Sequence, residues 1–94
     1  MIKIIIERRV MHGLEEEYEQ AAREVVRAAM SASGFIAGES LQEYQRTEHR
    51  MLITTWRDLR AWKEWQRSSA REHAMQRLLP LLTEEERVTA YEHP

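Results

Sequence analysis

Residues Met1–Val10 read MIKIIIERRV. β-Branched isoleucine dominates this run and favours an extended strand. Side chains alternate between the two faces of a strand, so Ile2, Ile4 and Ile6 share one face and Lys3 and Glu7 the other. Ile5 interrupts the polar row. His12-Gly13 marks a turn. From Leu14 to Met30 the period changes: Leu14, Tyr18, Ala21, Val25 and Ala29 recur at helical spacing. Glu15, Glu16 and Glu17 stand in the first turn of that helix, where its dipole favours anions, and Arg23 and Arg27 fall later. Ser31-Ala32-Ser33-Gly34 ends it.

Two further strands follow. Phe35–Gln45 is extended, and Gly38 inside it signals a bulge or a close backbone approach. Arg46–His49 reads as a polar connection to a third strand, Met51–Trp56, which gives an antiparallel hairpin. Asp58 is placed to cap a helix carrying Leu59, Trp62 and Trp65. Ser69-Ala70-Arg71-Glu72 has the Ser-x-x-Glu form of a capping box, so the helix is expected to break near Ser68-Ser69 and restart through Leu78. Pro80 stops it. Thr83-Glu84-Glu85-Glu86 has a similar form and predicts one helical turn; Arg87–Glu92 is the last strand. The order β-α-β-β-α-β is that of the ferredoxin-like α+β fold, a four-stranded antiparallel sheet with helices on one face.

The other face of that sheet is not a clean polar row. Met51, Ile53 and Thr55 share one side of the third strand, Leu52, Thr54 and Trp56 the other, and Ile5 adds to the first strand. A one-sided sheet open to water shows sharper alternation. Leaving several such side chains wet forfeits several kcal/mol at about 25 cal/mol per Å² of apolar surface. A homodimer in which two sheets face each other is the expected partner arrangement.

The 94 residues are expected to form one domain. With 14 basic and 16 acidic side chains the net charge is −2, so no strong field draws nucleic acid. No run approaches the ~20 apolar residues of a membrane span, and Ile4-Ile5-Ile6 is too short for a signal peptide. Neither nucleic acid nor membrane is therefore an expected partner, and a cytoplasmic location is the default. There is no cysteine, which excludes disulfide scaffolds, cysteine–zinc sites, iron–sulfur clusters and thiol catalysis. Twelve of the basic residues are arginine and two are lysine, a bias that suits carboxylate or phosphate recognition but also follows from codon usage alone.

Several segments together resemble the antibiotic biosynthesis monooxygenase domain, a family of dimeric α+β barrels. They are MIKIIIERRV followed by Gly13, the run Ser33-Gly34-Phe35-Ile36-Ala37-Gly38-Glu39, and Ile53-Thr54-Thr55-Trp56 followed by Asp58. Ala61-Trp62-Lys63-Glu64-Trp65 and Leu79-Pro80-Leu81-Leu82 extend the likeness over essentially the whole chain. The resemblance implies the fold and the dimer. It says less of the chemistry, because family members include quinol monooxygenases, polyketide-tailoring oxygenases and haem-degrading enzymes.

Trp56, Trp62 and Trp65 fall within ten residues. They suit either a buried core stripe or the walls of a flat slot that stacks on an aromatic ligand. The resemblance places Trp65 where haem-degrading relatives contact their ligand. It also argues against haem, since those relatives carry an asparagine where Ile6 stands here and a ligating histidine where Met75 stands. His12, His49, His73 and His93 show no metal-binding spacing, so neither metal nor cofactor is expected.

Glu39 and His73 are the candidate proton acceptors, Glu39 because a carboxylate beside indoles has a raised pKa, His73 because imidazole titrates near neutrality. Tyr44 is the candidate hydrogen-bond donor. The leading expectation is a cofactor-independent monooxygenase that oxidises a small aromatic phenol or quinol with dioxygen. The alternatives are a non-catalytic dimer that binds a small aromatic ligand and a haem-binding or haem-degrading protein.

Overall fold

A computed structural model describes residues 1–94. Its elements are β1 (Ile2–Arg9), α1 (Glu15–Met30), β2 (Phe35–Glu43), β3 (Arg46–Trp56), α2 (Leu59–Gln66), α3 (Ser69–Leu78) and β4 (Arg87–Tyr91), with a 3-10 turn at Leu79–Leu81. The strands pair in the order β2-β3-β1-β4, all antiparallel. This is the expected ferredoxin-like α+β arrangement. No helix is long and apolar enough to cross a membrane.

The alternation in β1 sets the layer between sheet and helices. Ile2, Ile4 and Ile6 are buried, and so is Arg8, the next residue in the same phase. Tyr18, Ala21, Val25 and Ala29 of α1 face them, the stripe predicted from spacing. From β3, Leu52, Thr54 and Trp56 point inward, each opposite an inward residue of β1.

The indoles close one end of this layer. Trp56 has no exposed surface. It meets Phe35 edge-on at 5.3 Å, Trp62 at 5.8 Å and Trp65, near-parallel, at 6.4 Å. Its Nε1 donates to Thr54 Oγ1 at 2.9 Å, so the one polar atom of the ring is satisfied. Such aromatic pairs add about 0.5–1.5 kcal/mol each beyond area burial.

Three local expectations are corrected. Arg46–His49 is not a connection: β3 begins at Arg46, and the turn is the pair Tyr44-Gln45, with Gln45 at φ 62°. Both faces of the outer hairpin are polar, so these residues carry no period-two signal. The restarted helix is capped by Ser68, whose Oγ accepts from Arg71 N at 3.1 Å and donates to Trp65 O at 2.7 Å; Ser69 is the first helical residue. Thr83–Glu86 forms no helical turn. Thr83 N donates to Arg9 O at 2.9 Å, and Glu86 turns inward to two arginines. Asp58 does cap α2, accepting from Ala61 N at 2.8 Å.

Gly34 joins α1 to β2 with φ 87°, a conformation most residues avoid. A Cβ there would lie 2.5 Å from the Cβ of buried Ala61. Gly34→Ala should therefore destabilise the fold by roughly 2–3 kcal/mol through backbone strain and overpacking. Chemical denaturation of the two proteins checks this; an unchanged midpoint would mean that α2 shifts freely.

Candidate active site

Away from the indoles, α1 and the sheet do not close on each other. A cavity of about 500 Å³ lies between them. It falls within the roughly 300–1,000 Å³ typical of small-molecule sites. Ala22, Val26 and Met30 of α1 and Leu52 of β3 supply its apolar walls. Gly38 and Ser40 form its β2 side. A Cβ on Gly38 would stand 3.4 Å from Phe35 and 3.8 Å from both Val26 and Thr54, so glycine keeps this wall thin.

The polar groups of the cavity are mostly cationic. Arg8, Arg23, Arg27 and Arg50 line it, with Glu19, Glu39 and Tyr18. Arg8 and Arg50 are directly opposite each other on β1 and β3, both on the inward face. They are 2% and 7% exposed. Arg8 Nε pairs with Glu86 Oε2 at 2.8 Å, and its Nη1 donates to Tyr18 Oη at 3.2 Å. Arg71 holds the other oxygen of Glu86 at 2.6 Å and lies 5.8 Å over the Trp62 ring. Arg50 lies 5.5 Å over the Tyr18 ring; its Nη1 pairs with Glu19 Oε1 at 2.9 Å and its Nε donates to Thr47 O at 2.7 Å.

Electrostatics follow from these distances. Burial works against the charge of Arg8, yet the Tyr18 and Glu86 oxygens beside it prevail and hold the guanidinium more firmly protonated than usual. Burial likewise opposes ionisation of Glu86, but Arg8 and Arg71 prevail, and its carboxyl sits below the ordinary carboxylate range. The site presents fixed positive charge and a phenolic hydroxyl to whatever enters. An anionic or readily ionised oxygen is the complementary ligand group.

The residues expected from sequence do not assemble here. Trp56, Trp62 and Trp65 are core and are not walls of this cavity. Their spacing of three on a helix fits both readings, and packing against Trp56 chose the core. Glu39 borders the cavity rim from β2 but pairs with Ile53, out of phase with Gly38 and Ser40, so its side chain turns to the open face of the sheet. Tyr44 is 85% exposed at the hairpin turn. His73 is exposed on α3. These three candidates sit on different elements and do not converge. At the positions compared with haem-degrading relatives, Ile6 and Met75 are both buried, with the Met75 sulfur 3.9 Å from Arg8 Nη2.

Arg8, Arg50, Tyr18 and Glu19 line the cavity instead. One signal for Arg8 lay in the sequence: it continues the inward phase of Ile2, Ile4 and Ile6. A charged residue in step with a buried row is the mark of a functional or ion-paired position.

Comparison with known proteins agrees with this architecture. The sequence model of the antibiotic biosynthesis monooxygenase family matches residues 1–77. No curated protein matches the chain in sequence. Among solved structures, SnoaB, a cofactor-independent oxygenase from Streptomyces nogalater, superposes with a TM-score of 0.82 at 18% identity, over 99% of this chain and 95% of that one. A conserved protein from Methanosarcina mazei Go1 gives a TM-score of 0.90 at 17% identity, over 99% and 92% of the two chains. An antibiotic biosynthesis monooxygenase gives 0.88 at 14% identity, over 100% and 99%.

The Arg8–Glu86–Arg71 group has a pH consequence. Because the folded chain holds Glu86 below its unfolded pKa, its ionisation adds stability that is fully present above the unfolded value. That contribution is lost as pH falls through the folded value. Glu86→Gln should cost roughly 3 kcal/mol at neutral pH, since it leaves two guanidiniums short of their carboxylate. It should also flatten the loss of stability as pH falls through and below the ordinary carboxylate range. Denaturant midpoints of both proteins across that range test the sign.

Proposed function

The chain belongs to the antibiotic biosynthesis monooxygenase family, and from that premise we propose that it is an oxygenase acting on a small hydroxylated aromatic, a phenol or quinol, bound between α1 and the sheet. The observation that carries the reading is the pair of buried arginines, Arg8 and Arg50, opposed at a cavity that also has an apolar wall on α1 and β3. Ala22, Val26, Met30 and Leu52 accept the ring. Arg8 and the Tyr18 hydroxyl receive its oxygen, and their charge and hydrogen bond favour the phenolate over the phenol.

The phenolate is the chemically active form. It passes one electron to dioxygen, and the resulting radical pair joins ring carbon to oxygen as a peroxide anion. The oxygen–oxygen bond then breaks. One atom stays on the ring as a carbonyl, and the other leaves as water with the ring hydrogen and the hydroxyl proton. A phenol and dioxygen thus become a quinone and water, and all four electrons come from the ring. The cationic floor stabilises both the phenolate and the peroxide as charge develops.

Oxygen-electrode assays with a panel of naphthols and hydroquinones test the reaction. Expected are protein-dependent uptake and, with isotopically heavy dioxygen, one heavy atom per product. Arg8→Met should lower the rate by about 10²-fold or more, the usual cost of one oxyanion donor. Ligand binding with no uptake across the panel would replace this reading by the non-catalytic binding dimer.

A second copy of the chain is proposed to cover the open face of the sheet. Ile5 and Ile53 are paired there, flanked by Met51, Leu41 and Tyr91. Leu41 and Tyr91 are about half exposed in the single chain. Sedimentation should give the mass of two chains, and Ile53→Glu should shift it toward one. A wild-type protein that stays single at high micromolar concentration would overturn the dimer.

A further inference from the structure

The charges around the cavity do not balance. Glu39 at the rim turns to the open face, and each of the other two carboxylates is divided between two guanidiniums. Glu86 serves Arg8 and Arg71. Glu19 serves Arg50 through Oε1 at 2.9 Å and Arg23 through Oε2 at 3.5 Å. Arg27, one turn beyond Arg23 on α1, lines the same cavity with no carboxylate partner. Like charges directly opposite on adjacent strands destabilise a sheet, and Arg8 and Arg50 are such a pair on its buried side.

The four guanidiniums differ in depth. Arg8 lies at the buried end beside Tyr18, whereas the Arg23 side chain is 70% exposed at the mouth. Arg50 lies between them. Its Nε and Nη1 are spent on Thr47 and Glu19, and its Nη2 donates to no protein group. No buried side-chain nitrogen of the protein lacks a partner, so this Nη2 is not sealed from solvent. Glu19 is itself half exposed, and its carboxylate is the only one shared by Arg50 and Arg23.

From this arrangement we propose that the mouth of the cavity is a carboxylate subsite and that the substrate is a hydroxyaromatic acid. The inference rests on the cavity being the substrate site. The ligand carboxylate takes Arg50 and Arg23 from two sides, while its hydroxyl lies deeper against Arg8 and Tyr18. Glu19 stands in for that carboxylate when no ligand is bound, and the incoming group displaces it from Arg50. A monoanion of carboxylate shape fits, because it replaces one carboxylate by another. The planar guanidinium forks of Arg50 and Arg23 match its two oxygens.

Calorimetry with three probes tests this: a hydroxynaphthoate with adjacent hydroxyl and carboxylate groups, its methyl ester, and the parent naphthol. The acid should bind about tenfold or more tightly than the ester, the worth of one charge-assisted hydrogen bond. Glu19→Gln removes the internal competitor and should tighten the acid by about threefold or more while leaving the ester unchanged. Arg23→Gln, at an exposed position that does not threaten folding, should erase much of the preference for the acid. Equal binding of acid and ester by the wild type, or an equal effect of Glu19→Gln on both, would overturn the subsite.

Oxygen uptake measured with the same probes separates the two proposals. Preference for the acid without uptake from any probe sinks the oxygenase reading and leaves the subsite standing. Uptake from naphthol and ester, bound as well as the acid, does the reverse.

Discussion

Two guanidiniums confront each other across β1 and β3 inside the layer where helices meet sheet. Arg8 and Arg50 are there because the pleat puts them there. Each continues an inward row, Ile2-Ile4-Ile6 on one strand and Trp56-Thr54-Leu52 on the other. A buried arginine has to be paired and hydrogen-bonded. Glu86 is therefore drawn inward, which fixes the segment before β4 against α3. Tyr18 and Glu19 on α1 are held to the same pair. The placement of three elements depends on satisfying those two charges.

The same layer behaves differently at its two ends. Around Trp56 the rings of Phe35, Trp62 and Trp65 pack against the buried indole. Around Arg8 and Arg50 the facing residues of α1 are short, Ala22 and Val26, and β2 offers Gly38 and Ser40. Short side chains beside fixed charges leave a cavity that hydrophobic packing alone would close. The layer is packed at one end and open at the other, and β1 and β3 run through both.

Much of the fold was legible from local pattern. The strand at β1, the stripe on α1, the Asp58 cap and the interruption near Ser68 all follow from spacing or capping chemistry that acts over a few residues. The errors fell where distant partners decide. Arg46–His49 carries no apolar alternation because the outer hairpin is polar on both faces, and pairing with β2 and β1 makes it a strand. Thr83–Glu86 has the form of a cap, but Arg9, Arg8 and Arg71 take its hydrogen-bonding groups. The site followed the same rule. Tyr44 and His73 have suitable chemistry but face solvent, and Glu39 is out of phase by one residue.

The order of elements, the inward phase of β1 and the stripe of α1 were determined by the sequence alone, because side-chain period is a local property of the backbone. Membership in a fold class follows from that order. Tertiary structure alone decided that the indoles are core and that Arg8, Arg50, Tyr18 and Glu19 share one cavity. These residues lie on three elements, and Arg50 on β3 is distant in the chain from β1 and α1. Their meeting depends on strand register and helix placement, which no short-range pattern encodes.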